Sequence, residues 1–332
     1  MKKTACLFAS LIILTCSACG KAEAPYISSE DIQERRQTNE SVSNIHEADV
    51  PLSGKLTYTN LDSQSSVEEV RSILTKAGIQ AIYVDTVLDW AADYNNCMRG
   101  CPAFSLVGDF VTIDEAAVDY GEYYPMYTEW YKRNARNYPD VLCRIAAFEL
   151  VQDNISVNEV ITKDNFDCWD ENGAWLYSDG GILFGREAVE GEHKEYNPFP
   201  LINWNNDITA KYFTLFDPIH VSEECDEQEM FKAIQEKWNE QGISFKENNF
   251  SLITFWTQDG GKIGVSHAAV LIKTNDSYLL FEKTNPESPY AATKFSSTDD
   301  VKQYLYNMMN LDYLRYDSQI GVYIILENDR LL

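Results

Sequence analysis

Apolar residues recur at helical spacing along most of the chain up to about residue 241, and strand-like runs follow. Ser66-Val-Glu-Glu69 is a capping box, predicting a helix to about Lys76 that Gly78 ends. A second periodic stretch, with Trp90, runs from Ala81 to about Tyr94. Thr112-Ile-Asp-Glu115 predicts a cap for a third helix, continuing through the aromatic residues 120–138 with a break near Pro125. Cys143 to Gln152 places Ile145, Phe148 and Val151 on related faces, and Ser156-Val-Asn-Glu159 predicts the cap of one more short helix. Residues 165–225, rich in Gly, Asp and Trp, predict short strands and loops. Asp226 to Gln241 carries Met230, Phe231, Ile234 and Trp238 on one side, with Gly242 as its stop.

After that the period changes. Phe250–Thr257, Gly264–Lys273, Tyr278–Lys283 and Gly321–Glu327 read as strands, interrupted by one helix from about Ser297 to Met309. Helices first and strands afterwards predict an α+β fold, with a helical N-terminal half packed on a mostly antiparallel sheet.

The beginning of the chain belongs to neither part. Lys2 and Lys3 precede an apolar run from Ala5 to Ala18, shorter than the roughly 20 residues that span a bilayer. Ser17-Ala18-Cys19-Gly20 resembles a bacterial lipobox, cleaved before a cysteine that then carries a lipid; Cys16 stands where such motifs usually have Leu. The division expected is therefore a lipoprotein signal peptide over 1–18 and a polar tether over 19–53 from a lipidated (diacylglycerol- and palmitate-bearing) Cys19. Residues 54–332 then fold as one α+β domain or as two lobes. An ordinary secretory signal cut near Ala24 is the alternative; either way the protein is exported, and with a lipidated Cys19 it is anchored at the extracytoplasmic face of the cell membrane. Of the 332 residues 45% are apolar, and the net charge of −25 argues against nucleic acid as a partner.

Export changes how the cysteines are read. Five of the eight lie beyond Cys19, and an oxidising compartment permits Cys97–Cys101 and Cys168–Cys225 bridges, leaving Cys143 over. His220 and Cys225 are too few for a structural zinc site, so no metal or other cofactor is expected.

Cys143 follows Pro139-Asp140 at a predicted helix start, where unpaired N–H groups and the helix dipole favour a thiolate. His267 lies in a strand between small neighbours. If the turn Thr274–Ser277 pairs Lys273 with Tyr278, Ala269 opposes Glu282 and His267 opposes Thr284. Glu282 then sits roughly 7–8 Å diagonally from His267 on the same face, close enough to orient the imidazole. A slip of one residue would substitute Asn285. Cys143, His267 and Glu282, with Asn285 in reserve, are the candidate catalytic residues, in an order and placement similar to the papain-type arrangement. That predicts a cysteine peptidase, amidase or acyltransferase acting on peptide or amide bonds, with cell-wall peptide or protein as the nearest substrate. The competing expectation is a non-catalytic binding or adhesion lipoprotein in which Cys143 and His267 are packing residues.

Several segments are similar to one family. Leu142-Cys-Arg-Ile-Ala-Ala-Phe-Glu-Leu150, Ser266-His-Ala-Ala-Val-Leu-Ile272, Phe281-Glu-Lys283, Pro289-Tyr290 and Lys294-Phe295 resemble an uncharacterised lipoprotein family, mostly of Gram-positive bacteria, built on domain of unknown function 4300. Tyr58–Leu61 and Ile324–Asp329 resemble its edges, so the likeness spans roughly residues 55 to 330. It implies a location and an extent, and no activity. Two positions depart from its pattern: Leu142 replaces an Asn before the cysteine, and Ser266 replaces a Gly before the histidine.

Overall fold

The computed structural model describes residues 54–118, 123–133, 140–158, 173–184, 201–314 and 320–332. The predicted signal peptide, tether and Cys19 lie outside them. Helices α1 (Gln64–Lys76), α2 (Ala81–Met98), α3 (Tyr123–Arg133), α4 (Cys143–Val151), α5 (Gly173–Phe184), α6 (Asn206–Phe216) and α7 (Glu227–Gln241) fall in the front part. Helix α8 (Thr298–Leu314) comes between late strands. The strands are β1 (Lys55–Thr59), β2 (Val111–Asp114), β3 (Ile155–Ser156), β4 (Ile219–His220) and β5 (Ser244–Phe245). They continue with β6 (Phe250–Asp259), β7 (Lys262–Lys273), β8 (Tyr278–Lys283), β9 (Tyr290–Phe295), β10 (Tyr323–Glu327) and β11 (Arg330–Leu331). The α+β class is as expected.

One sheet organises the molecule, in the order β11-β10-β6-β7-β8-β9-β1-β2, with β4 also paired to β7. All its pairings are antiparallel. Because side chains alternate along a strand, the sheet buries two separate faces. Leu252, Trp256, Val270, Ile272 and Phe281 pack under the helices of the front part. Ile253, Phe255, Leu271 and Leu280 pack under α8, through Val301, Leu305 and Met308.

Helix α7 shows how locally some of this is specified. Asp226 caps it, Glu229 completes the capping box, and Gly242 closes it at φ 65°. A Cβ at Gly242 would also run into the Asn158 side chain, so glycine is required there twice over.

Other expectations need correction. Ser66 is not the cap of α1; Ser63 is, with Ser66 buried one turn in and donating its N–H to the Ser63 hydroxyl. Val111–Asp114 is an edge strand against β1, its Thr112 hydroxyl bonded to Thr57, and only Glu115–Ala117 is helical, as a 3₁₀ turn. Pairing with β1 overrides the capping pattern there. Ser156 belongs to β3, paired with β5, and the rest of the short helix expected after it, from residue 159 on, lies outside the described residues. Pro125 does not break α3, because it sits in the first turn, where its missing N–H has no intrahelical partner to lose. The middle of the chain contains α5 and α6, against the expectation of strands and loops.

Candidate active site

Cys143 is the first residue of α4, after an N-cap Leu142 whose extended backbone (φ −82°, ψ 160°) carries no side-chain cap. With no side-chain cap, the positive end of the helix is left to the thiol. Three residues upstream, Asp140 accepts from Lys283 Nζ at 2.8 Å, in an ion pair buried on both sides. This ties the chain entering α4 to the end of β8.

His267 is placed by an interruption in the sheet. On one side of β7, β4 pairs with Lys262 and Ile263, and β8 pairs from Ala269 onward. Between them, among the described residues, no strand covers that edge, and α4 fills it. Arg144 Nη1 donates to the Val265 carbonyl at 2.8 Å. The Ala268 N–H donates to the Cys143 sulfur. On the other side, the β6–β7 register shifts at Phe255/Trp256, opposite His267 and Val265, and the extra residue Ser266 donates to the Phe255 carbonyl at 3.1 Å. A bulge of this kind re-aims a side chain while leaving the ladder intact on either side.

The β7–β8 register is the predicted one, with Ala269 opposite Glu282 and Lys273 opposite Tyr278. His267 Nε2 lies 2.7 Å from Glu282 Oε2, with both side chains at most 1% exposed. The other Glu282 oxygen, Oε1, accepts from the Tyr304 hydroxyl at 2.6 Å. His267 Nδ1 has no hydrogen bond of good geometry, and the group it interacts with is the Cys143 thiol. Asn285 takes no part: it stands in the turn after β8, where its carbonyl and side-chain oxygens accept from Ser288 N.

The electrostatics favour an ion pair. Burial pushes the Cys143 thiol up, but the neighbouring His267 imidazole, the charge of Arg144 and the Ala268 N–H together bring it below the ordinary thiol value. Burial pushes His267 down, yet Cys143 and Glu282 outweigh it and raise the imidazole to about 10. A thiolate beside an imidazolium is the nucleophilic form of such a dyad.

Arg144 was not evident from the sequence. Its guanidinium forks onto Asp179, Nε to Oδ1 at 3.0 Å and Nη2 to Oδ2 at 2.5 Å. Tyr212 donates its hydroxyl to the same carboxylate. Asp140, Asp179, Lys283 and Tyr304 were equally hidden. One available signal was Lys283 itself, a second charged residue beside Glu282 in a strand that is otherwise apolar apart from Tyr278.

Cys97 and Cys101 are not bridged to each other, so that predicted disulfide is not found; the Cys168–Cys225 pairing falls on Cys168, outside the described residues, while Cys143 carries a thiol. Cys97 and Cys101 straddle the end of α2, where the Cys101 sulfur accepts from the Ala103 N–H at 3.4 Å. Cys225 donates to the Asp226 carbonyl.

The chain belongs to the family described as Domain of unknown function (DUF4300), whose model matches residues 57–332. No curated protein and no solved structure matches it.

Proposed function

We propose that this member of the DUF4300 family is a membrane-anchored surface lipoprotein with a papain-like cysteine hydrolase or acyltransferase site, acting on peptide or amide bonds. The observation that carries the reading is the buried line Cys143–His267–Glu282, with the thiol at a helix N-terminus and the imidazole between thiol and carboxylate. Cys143 Sγ would attack the substrate carbonyl carbon, and His267 would pass its proton to the departing amine. The resulting thioester would then be released to water or to a second amine, with His267 taking that nucleophile's proton. The N–H groups of Cys143 and Arg144 precede the first intrahelical bond of α4, from Ala146 N to the Leu142 carbonyl. They are the natural donors to the tetrahedral oxyanion.

The test is peptide-resolved alkylation of Cys143 by iodoacetamide across pH, in the wild type and in His267→Ala. A rate that plateaus well below pH 8, and loses that plateau in the variant, is expected. A thiol that stays inert until the protein unfolds would overturn the enzyme. The anchor is tested separately: palmitate labelling should disappear in Cys19→Ser.

A second reading is favoured by burial, because Cys143 and His267 are only 4% and 1% exposed. In it the protein is a binding or adhesion lipoprotein and the dyad packs the core. The inert-thiol outcome would establish that alternative.

A further inference from the structure

We propose that Tyr304 is a positioning residue of this site, its hydroxyl holding the Glu282 carboxylate in the orientation that His267 needs. The inference rests on the cysteine-hydrolase reading and extends its line of groups to a fourth member, supplied by α8.

A carboxylate taken out of water is tolerated when its oxygens find donors. Glu282 is 2% exposed, and each of its oxygens has one: Oε2 meets His267 Nε2 at 2.7 Å and Oε1 meets the Tyr304 hydroxyl at 2.6 Å. Glu287, equally buried a few residues on, shows the contrast. Its Oε2 has no partner, and burial pushes it up to about 7. Tyr304 is itself held firmly. Val301, Leu305 and Met308 seat α8 on the sheet, and the Tyr304 ring packs against Phe295 at 5.3 Å between centroids. A phenylalanine would make the same ring contact, so the hydroxyl is what the Glu282 contact requires.

The titratable groups around this line can be named. Glu282 faces His267 from β7 and Tyr304 from α8, and His267 faces Cys143 from α4. Glu115 lies near α8, where Asn307 bonds it, while Lys283, Asp140 and Glu287 cluster on the opposite face of the sheet. The Tyr304 hydroxyl keeps the Glu282 carboxylate turned toward His267 Nε2; without it the carboxylate is free to rotate away, and the imidazolium that sustains the thiolate loses its partner. Without the Tyr304 hydroxyl, the Cys143 thiolate is therefore lost at a higher pH.

The experiment is peptide-resolved iodoacetamide alkylation of Cys143 in the full chain between about pH 4 and pH 9, spanning the carboxylate, imidazole and thiol ranges. Wild type, Tyr304→Phe, Glu282→Gln and the double variant are compared. The expected result is an acid limb that moves up by about one pH unit in Tyr304→Phe, roughly tenfold slower on the limb, with no further shift when the change is added to Glu282→Gln. An unmoved limb, whatever happens to the unfolding temperature, would reduce Tyr304 to a packing residue and overturn the proposal while leaving the dyad standing. An ordinary thiol profile already in the wild type would overturn the enzyme reading and this proposal with it. Should Tyr304→Phe fail to fold, 3-fluorotyrosine at position 304, nearly isosteric and a stronger donor, should shift the limb down, and no shift overturns the proposal.

Discussion

Glu282 and Lys283 are consecutive on β8 and point to opposite faces of the sheet, so one strand holds both halves of the site. Glu282 reaches His267 at 2.7 Å, and Lys283 reaches Asp140 at 2.8 Å, three residues ahead of Cys143. Lys283 Nζ also donates to the Ser288 carbonyl at 2.9 Å and lies over the rings of Tyr94 and Tyr290, at 3.9 and 4.5 Å from their centroids. Burial pushes its pKa down, and the Asp140 carboxylate recovers only part of that. An ion pair this costly to bury makes sense as a device that sets where α4 begins.

The pair can be tested by removing it one side at a time. Lys283→Met alone leaves the buried Asp140 charge without its cation and should cost about 3–5 kcal/mol in urea unfolding. Adding Asp140→Leu should return most of that stability, because no charge then remains to be desolvated. Neutral-pH alkylation of Cys143 should stay slow in the refolded double variant, since the ion pair that ties the chain entering α4 to β8 is gone. A single variant losing less than about 1 kcal/mol would mean that the pair is not what anchors this corner.

Arg144 makes a different demand, one of shape. Its planar fork meets Asp179 with two nitrogens while the third reaches the Val265 carbonyl at 2.8 Å. A lysine ammonium is a single point and cannot serve both partners from one position. Arg144→Lys should therefore cost roughly 2–4 kcal/mol, read from the urea midpoint, and should slow Cys143 alkylation at neutral pH. Unchanged stability and reactivity would show that charge alone suffices next to the nucleophile.

These networks mark where reading the sequence stops. The hairpin register followed from the spacing of Lys273 and Tyr278, and that spacing brought Glu282 within reach of His267. The start of α4 at Cys143 and the end of α7 at Gly242 were also legible, because both are decided within a few residues. Val111–Asp114 misled, because its Thr–Glu spacing mimics a cap while its partner strand lies more than 50 residues earlier. The pairs Lys283–Asp140 and Arg144–Asp179, separated by 143 and 35 residues, leave no local periodicity to detect. Tyr304 sat within a predicted helix, but which carboxylate its hydroxyl would meet depended on how α8 docks.

Ser266, the extra residue of the β7 bulge, has an identifiable job. Its hydroxyl donates to the Phe255 carbonyl at 3.1 Å, tying the bulged residue back to β6 where the register shifts. Ser266→Ala should cost about 1 kcal/mol in chemical denaturation. Alkylation of Cys143 should persist, because the Val265 carbonyl and Ala268 N–H that lock β7 to α4 are untouched. A variant that keeps full stability but loses Cys143 reactivity would instead make Ser266 part of the site.

Glu287 gives the clearest dependence on pH. Burial raises its pKa from 4.5 to about 7, with Asp140 adding to the rise and Lys283 opposing it. Its folded value thus lies above its unfolded one, so the neutral carboxyl favours the folded state. That contribution is complete below about pH 4.5 and is lost as pH rises through about 7. The span corresponds to on the order of 3 kcal/mol of stability from this one group. Glu287→Gln keeps a neutral side chain of the same shape at every pH. Compared with wild type, it should unfold at nearly the same urea concentration at about pH 5 and at a clearly higher one at about pH 8. An equal difference between the two proteins at both pH values would mean that Glu287 does not titrate across this range in the folded state.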